Sequence, residues 1–292
     1  MSKITAYSIE GNRQMLDGGS MFGNAPRALW EKWISVDDRG RIPLACRSLL
    51  VRTENANILF ETGIGAFFEP KLSDRFGVQS PDKHLLLENL KAQGLKPEDI
   101  THVVLSHLHF DHAGGLMPLY KDLKEKDNSL VFPNAELIMG KEAYERALNP
   151  HPRDKASFPE VLVNAIQAHP KKRILEPETT DILIDGVKIK FFISDGHTPG
   201  QMLSLVQGEN SQVIFCGDLI PGRHWVHLPI TMGYDRFPEK LIDEKQKLYE
   251  ENLGKDTWYF FTHDDQYACA RLEQDGHKVK PKDLQEHFQQ SI

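Results

Sequence analysis

At 292 residues the chain is long enough for one large domain or two small ones, and a hydrophobic content of 40% can fill a substantial core. A net charge of −7 with no strongly basic cluster argues against nucleic acid as the main partner. No run approaches the roughly 20 apolar residues of a membrane span, Met1 to Thr5 begin no signal-peptide-like apolar core, and three isolated cysteines, Cys46, Cys216 and Cys269, fit a reducing compartment, so a cytoplasmic location is expected.

Residues 1–10 read as an edge strand. Residues 16–45 mix Met21, Phe22, Trp30 and Trp33 with glycine, proline and charge, the composition of an ordered arm packed over something else. Segments 46–52 and 56–61 read as strands joined by a turn at Thr53-Glu54-Asn55. Ser80-Pro81 is expected to cap a helix carrying Leu85, Leu86, Leu87 and Leu90, and Gly94 to end it. Thr101 to Leu105 is a short, nearly all-apolar run, as for a strand buried on both faces.

That run delivers Ser106-His107-Leu108-His109-Phe110-Asp111-His112. Three imidazoles and a carboxylate crowded together are costly unless something uses them, and these donors suit zinc and other borderline divalent ions. Ala113-Gly114-Gly115 then lets the backbone turn sharply into a helix. The loop can thus offer His107 and His109 to one metal and Asp111 and His112 to another.

Residues 117–180 read as a polar, mostly helical insertion around a short strand, Glu136 to Met139. Segments 181–194, 201–207 and 211–217 read as strands, Lys240 to Leu253 as an amphipathic helix, Trp258 to Thr262 as a last buried strand and 281–290 as a C-terminal helix. Strand-rich blocks in two halves, alternating with helices, suggest two packed sheets with helices outside, a layered α/β design. Three more candidate ligands each lie just past a strand: His197 in Gly196-His197-Thr198-Pro199-Gly200, Asp218 in Gly217-Asp218, and His263 in Thr262-His263-Asp264. Strand carboxyl ends are where α/β proteins gather active-site groups.

The series His-x-His-x-Asp-His, Gly-His-Thr-Pro-Gly, Gly-Asp and a final strand-end His resembles the metallo-β-lactamase superfamily over Ala45 to His263. The resemblance implies a single domain over 1–292 with the four-layer αββα sandwich fold, the 16–45 arm and the 117–180 insertion being its additions. It implies one metal site of His107, His109 and His197, and a second of Asp111, His112 and His263, with Asp218 bridging. Zinc is the default pair of ions; iron, manganese and cobalt occupy similar sites in relatives. Glu61-Thr62-Gly63 stands where the family usually has Asp-Thr-Gly, and Glu61 is expected as an acceptor that orients a ligating imidazole.

Within the superfamily the chain is most similar to the N-acyl homoserine lactonase and methyl parathion hydrolase branch. The grounds are Met21-Phe22-Gly23-Asn24-Ala25-Pro26, Arg41-Ile42-Pro43-Leu44 and Gly217-Asp218-Leu219-Ile220-Pro221. That branch implies a hydrolase in which a metal-bridging hydroxide opens a lactone or cleaves an ester of a small-molecule substrate, with Asp111 and Asp218 as catalytic carboxylates and Asp111 carrying the proton to the leaving group. A phosphotriesterase-like hydrolase and a mono-iron persulfide dioxygenase are the alternatives. Some lactonases place a tyrosine three residues after the bridging Asp; here Pro221 stands there, and Tyr234, His224 or His227 are candidate replacements. Met21, Phe22, Trp30 and Phe110 are candidate walls for an acyl chain or aryl group, while the same arm aromatics also suit a subunit interface, so a homodimer is a further expectation.

Overall fold

A computed structural model describes residues 4–123, 129–209 and 211–292. In chain order the strands are β1 (Thr5–Glu10), β2 (Gln14–Asp17), β3 (Arg41–Leu44), β4 (Arg47–Arg52), β5 (Asn57–Phe60), β6 (His102–Val104), β7 (Glu136–Gly140), β8 (Lys172–Leu175), β9 (Asp181–Ile184), β10 (Val187–Ser194), β11 (Gln201–Gln207), β12 (Gln212–Phe215), β13 (Thr257–Phe260), β14 (Cys269–Asp275), β15 (Lys278–Gln285) and β16 (Gln289–Ser291). The α-helices are α1 (Gly18–Phe22), α2 (Arg27–Trp30), α3 (Pro70–Arg75), α4 (Leu85–Ala92), α5 (Phe110–Ala113), α6 (Lys141–Leu148), α7 (Glu160–Ala168) and α8 (Pro238–Asn252).

The described strands form two seven-stranded sheets, β16-β1-β4-β5-β6-β7-β8 and β15-β14-β13-β12-β11-β10-β9, and a small β2-β3 ribbon. Side-chain alternation along each strand explains why the sheets stack. Leu49 and Val51 of β4, Ile58 and Phe60 of β5 and Val104 of β6 face the second sheet, where they meet Val213 and Phe215 of β12 and Trp258 and Phe260 of β13. Leu50, Leu59 and Val103 point the other way, into a core shared with α4, α6 and α7. Ile214 and Tyr259 likewise turn outward to α8 and the 16–45 arm. Helix, sheet, sheet, helix is thus the layer order, the αββα sandwich. No helix among the described residues is long and apolar enough to cross a membrane.

Four elements differ from the sequence reading. Residues 281–290 are not a helix: β14 and β15 form a hairpin through Gly276, with Asp275 opposite Lys278 and Glu273 opposite Lys280. Phe288 then inserts between the sheets beside Trp258, ring centroids 5.6 Å apart. Burial and strand pairing override the helix propensity of this polar stretch. The strand β16 pairs with β1, so β1 is not an edge; residues 1–3 lie outside the described set. Helix α4 starts at Leu85, and its first N–H is capped by Asn12 Oδ1 at 3.1 Å, not by Ser80-Pro81, where Ser80 has a left-handed φ of 54°. Finally, the stretch 117–180, of which 124–128 lie outside the described residues, contributes β7 and β8 to the first sheet as well as α6 and α7 to its outer face.

Candidate metal centre

Five strands end at one edge of the sandwich and aim polar side chains into the same space. In the first sheet β5 precedes Glu61 and β6 leads into the His107 loop; in the second, β10 precedes His197, β12 precedes Asp218 and β13 precedes His263. The loop after β6 can close tightly because of its glycines: a Cβ on Gly115 would sit 2.0 Å from the Thr62 carbonyl oxygen, and one on Gly114 2.3 Å from that of Ile64. The short helix α5 then turns Asp111 and His112 inward, both buried.

The seven candidate ligands come together. His107, His109 and His197 form one group close enough to hold an ion, and Asp111, His112 and His263 a second. Asp218 lies between them, with Oδ2 3.2 Å from His197 Nε2 and 3.3 Å from His112 Nε2, and Oδ1 3.4 Å from His263 Nε2. Asp111 Oδ2 is 3.5 Å from His263 Nε2 and Oδ1 3.7 Å from His112 Nε2.

The outer nitrogens of these rings are already engaged, which fixes what the inner ones are. His263 Nδ1 lies 2.7 Å from the Ala45 carbonyl, which can only accept, so Nδ1 carries the proton. His112 Nδ1 donates to Glu61 Oε2 at 2.7 Å and His197 Nδ1 to Asp235 Oδ1 at 2.9 Å. In the neutral rings their Nε2 atoms are then acceptors. Yet His112 Nε2 faces His263 Nε2 at 3.2 Å, and His197 Nε2 faces His109 Nδ1 at 3.2 Å. His112 and His263, when neutral, thus turn two acceptors toward each other at a spacing that a shared cation would satisfy, and His109 Nδ1 and His197 Nε2 sit at the same spacing. Tetrahedral zinc with Zn–N of about 2.0–2.1 Å separates its ligand nitrogens by about 3.3 Å. His107 Nε2 is also buried without a hydrogen-bond partner among the described residues. The donor set fits divalent metal.

Electrostatics divide the cluster. Burial and the neighbouring imidazoles His112, His109 and His197 hold His107 well below the usual histidine range; burial, His197 and His112 do the same to His109. Burial also opposes charge on His112, but Glu61, Asp218 and Asp111 outweigh it and raise that ring well above the ordinary value. Burial opposes ionisation of Asp218, yet His112, His197 and His263 pull its carboxyl far down. A carboxylate among imidazoles is the charge state a cation needs.

Glu61 is fully buried, with a left-handed φ of 60°. Its Oε1 accepts from Ser106 Oγ, whose oxygen in turn lies 2.9 Å from His107 Nδ1. Although Glu61 groups with His107 and His112 as a possible ion site, both of its oxygens are occupied in orienting neighbours.

A cavity of about 550 Å³ opens over the cluster, reaching His109, Asp111, His197, Asp218 and His263. Its apolar wall is Met15, Leu16, Met21, Phe76, Phe110 and Met232, and Tyr234 stands at its mouth, 42% exposed. Of the candidate substrate contacts, Met21, Phe110 and Tyr234 line this cavity. Phe22, Trp30, His224 and His227 do not. Phe22 is sandwiched within its own chain between Trp30 and Trp225, at centroid distances of 5.4 and 4.6 Å, and His224 stacks on Trp33 at 5.7 Å. His227 lies on the turn after Val226, outside the cavity. The arm thus spends most of its aromatics on the outer core.

Sequence reasoning missed Asp235, Gln14 and Gln201. Gln14 Nε2 donates to Asp111 Oδ2 at 2.7 Å, and Gln201 Oε1 accepts from the Asp218 N–H at 3.0 Å. Asp235 lies 38 positions from His197 and Gln14 97 positions from Asp111, so no local pattern could flag them.

An αββα sandwich whose strand ends converge on paired His/Asp donors defines a metal-dependent enzyme scaffold. The chain belongs to the metallo-β-lactamase superfamily, whose family model matches residues 41–263. An N-acyl homoserine lactonase of Bacillus thuringiensis is 26% identical over 237 residues, covering 76% of this chain and 82% of that protein. A probable metal-dependent hydrolase from Staphylococcus aureus superposes with a TM-score of 0.84 at 24% identity over 98% of both chains. AidC, a dizinc quorum-quenching lactonase, superposes at 0.73 and 22% identity over 95% of this chain and 93% of its own. The protein is a metallo-hydrolase of this superfamily.

Proposed function

We propose that this protein is a dinuclear hydrolase that opens a lactone or cleaves a carboxylic ester. His107, His109 and His197 would hold one metal, Asp111, His112 and His263 the other, and Asp218 would bridge them. Zinc is the ion we assign, on the imidazole and carboxylate donors. The observation that carries the reading is the pair of imidazole nitrogens held 3.2 Å apart on each side of Asp218. The lactonase relatives support the ester-bond class.

When bound, two divalent ions supply an ionised water at neutral pH and polarise the carbonyl under attack. The residues do the rest. Glu61, Asp235 and the Ala45 carbonyl hold three imidazoles in the metal-binding tautomer. Gln14 fixes Asp111 Oδ2, so the carboxylate is positioned to take a proton and deliver it to the leaving oxygen. Met21, Phe110 and Met232 exclude water from the cavity wall and receive an apolar acyl or aryl group.

The test is a hydrolysis screen on purified protein of known metal content. It should cover acyl homoserine lactones of several chain lengths, γ- and δ-lactones, aryl esters and a phosphotriester. About two zinc ions per chain with turnover of lactone or ester is expected. One iron per chain with oxygen uptake would replace this reading by an oxidoreductase, and turnover confined to the phosphotriester by a phosphotriesterase.

A further inference from the structure

The cavity is unlike a purely apolar acyl pocket, because four arginines, Arg41, Arg75, Arg153 and Arg236, share its lining. Arg41 has a carboxylate partner, Asp37 at 2.8 Å; the other three form no ion pair among the described residues. Arg236 is the most telling. Its backbone N–H donates to the His197 carbonyl at 3.2 Å, one residue after the Asp235 that holds the same imidazole, so it is tied to the cluster. Its Nε and Nη1 are buried and have no hydrogen-bond partner among the described residues. Arg153 stands near it, pinned through Nη2 to the Gly233 carbonyl at 2.9 Å.

The acid nearby leaves these groups of Arg236 unpaired. Asp154 lies near Arg146 and Arg236; its Oδ2 is taken by both Nε and Nη2 of Arg146 at 3.0 and 2.7 Å, and its Oδ1, though buried, makes no hydrogen bond to Arg236 or to any other described residue. One carboxylate among three guanidinium groups leaves an excess of positive charge beside the cavity. Buried guanidinium N–H groups without acceptors are costly, and a carboxylate, with two oxygens that match the planar fork, is the ligand that answers them.

We propose that the substrate carries a carboxylate remote from the scissile bond, and that Arg236, assisted by Arg153, selects for it. The apolar wall receives the connecting chain. As a statement about turnover this rests on the hydrolase reading above; as a statement about binding it does not.

The experiment uses the metal-loaded full chain and two esters, 4-nitrophenyl butyrate and its acid counterpart mono-(4-nitrophenyl) glutarate, with each enzymatic rate taken above that ester's own spontaneous hydrolysis, which the neighbouring carboxylate accelerates in the glutarate. The wild type is expected to favour the glutarate in kcat/KM by about tenfold, the size of one charge-assisted pairing. Arg236→Gln should erase the preference, mainly by raising KM for the glutarate, and Arg153→Gln, at an exposed site, should reduce it. Arg39→Gln, outside the cavity, should retain it. Preference for the neutral ester in the wild type, or a preference that survives Arg236→Gln, overturns the proposal. Calorimetric titration with hexanesulfonate, an anion that is a poor metal ligand, separates the two ideas. If neither ester turns over, the hydrolase reading is judged by the lactone screen and selection by binding alone: hexanesulfonate binding that weakens about tenfold in Arg236→Gln supports anion recognition, while equal or absent binding in both proteins overturns it.

Discussion

His112 donates its Nδ1 proton to Glu61 Oε2 over 2.7 Å, and both side chains are completely buried. Because Glu61 also accepts from Ser106, which touches His107, one carboxylate steadies two imidazoles of the cluster. Glu61→Gln keeps the size but removes the charge. Metal affinity, read by chelator competition, should fall by about tenfold to a hundredfold, the usual cost of an outer partner of a ligating histidine. Affinity equal to wild type would show that Glu61 has no such role.

Asp111→Asn should lower kcat by about a hundredfold or more, the range for a positioned proton carrier, with KM much less affected. Gln14 can still donate to the amide oxygen that replaces the carboxylate. Metal content must be measured in the same preparation, since Asp111 sits within reach of His263 and His112. Activity that survives with metal intact removes Asp111 from proton transfer.

Phe22→Ala should act on stability. The ring lies between Trp30 and Trp225 in a sealed outer core, and truncation of such a residue costs about 3–5 kcal/mol. Urea unfolding should register that loss, whereas chain-length preference on lactones should move little. The reverse pattern would put Phe22 in the substrate wall.

Lys245 gives a pH signature. Its ammonium is wholly buried and donates to the carbonyls of Trp225 and Ile230, and burial pushes it from 10.5 down to about 7. The unfolded chain therefore binds the extra proton between about pH 7 and 10.5, so this group makes folding more favourable as pH rises through that window and less so as pH falls toward 7. At roughly 1.4 kcal/mol per pH unit, wild type should gain about 3 kcal/mol on Lys245→Met between pH 7 and 9.5. Urea midpoints of the two proteins at both pH values check this; a constant gap would contradict it.

What could be read from the sequence was what is local. Four donors within six residues, and single donors directly after the apolar strands ending at Ser194, Phe215 and Phe260, marked the cluster. Two packed sheets with helices outside followed from strand-rich blocks alternating with helices. What escaped depends on distant pairing. Asn12 caps a helix 73 positions away, Gln14 reaches Asp111 and Asp235 reaches His197 only once both sheets have docked. Residues 281–290, read as a helix, instead carry the end of β15 and the start of β16, because β14 and β1 offer them partners. The arm's aromatics signalled burial correctly, but composition could not say which of Met21 and Phe22 would face the cavity; a one-residue rotation on α1 decides that.

The proposed ligand set is divided along the chain: His107, His109, Asp111 and His112 come from the first sheet's half, and His197, Asp218 and His263 from the second's. Neither half holds all the donors of either proposed site. Metal affinity is therefore a property of the seam between them, and every ion that binds acts as a rivet across it. By mass action, ions that bind the folded form alone hold the two sheets together as well as serving chemistry. A chelator should loosen the molecule along its central plane, and a refolding chain should gain its metals only after its two halves have met.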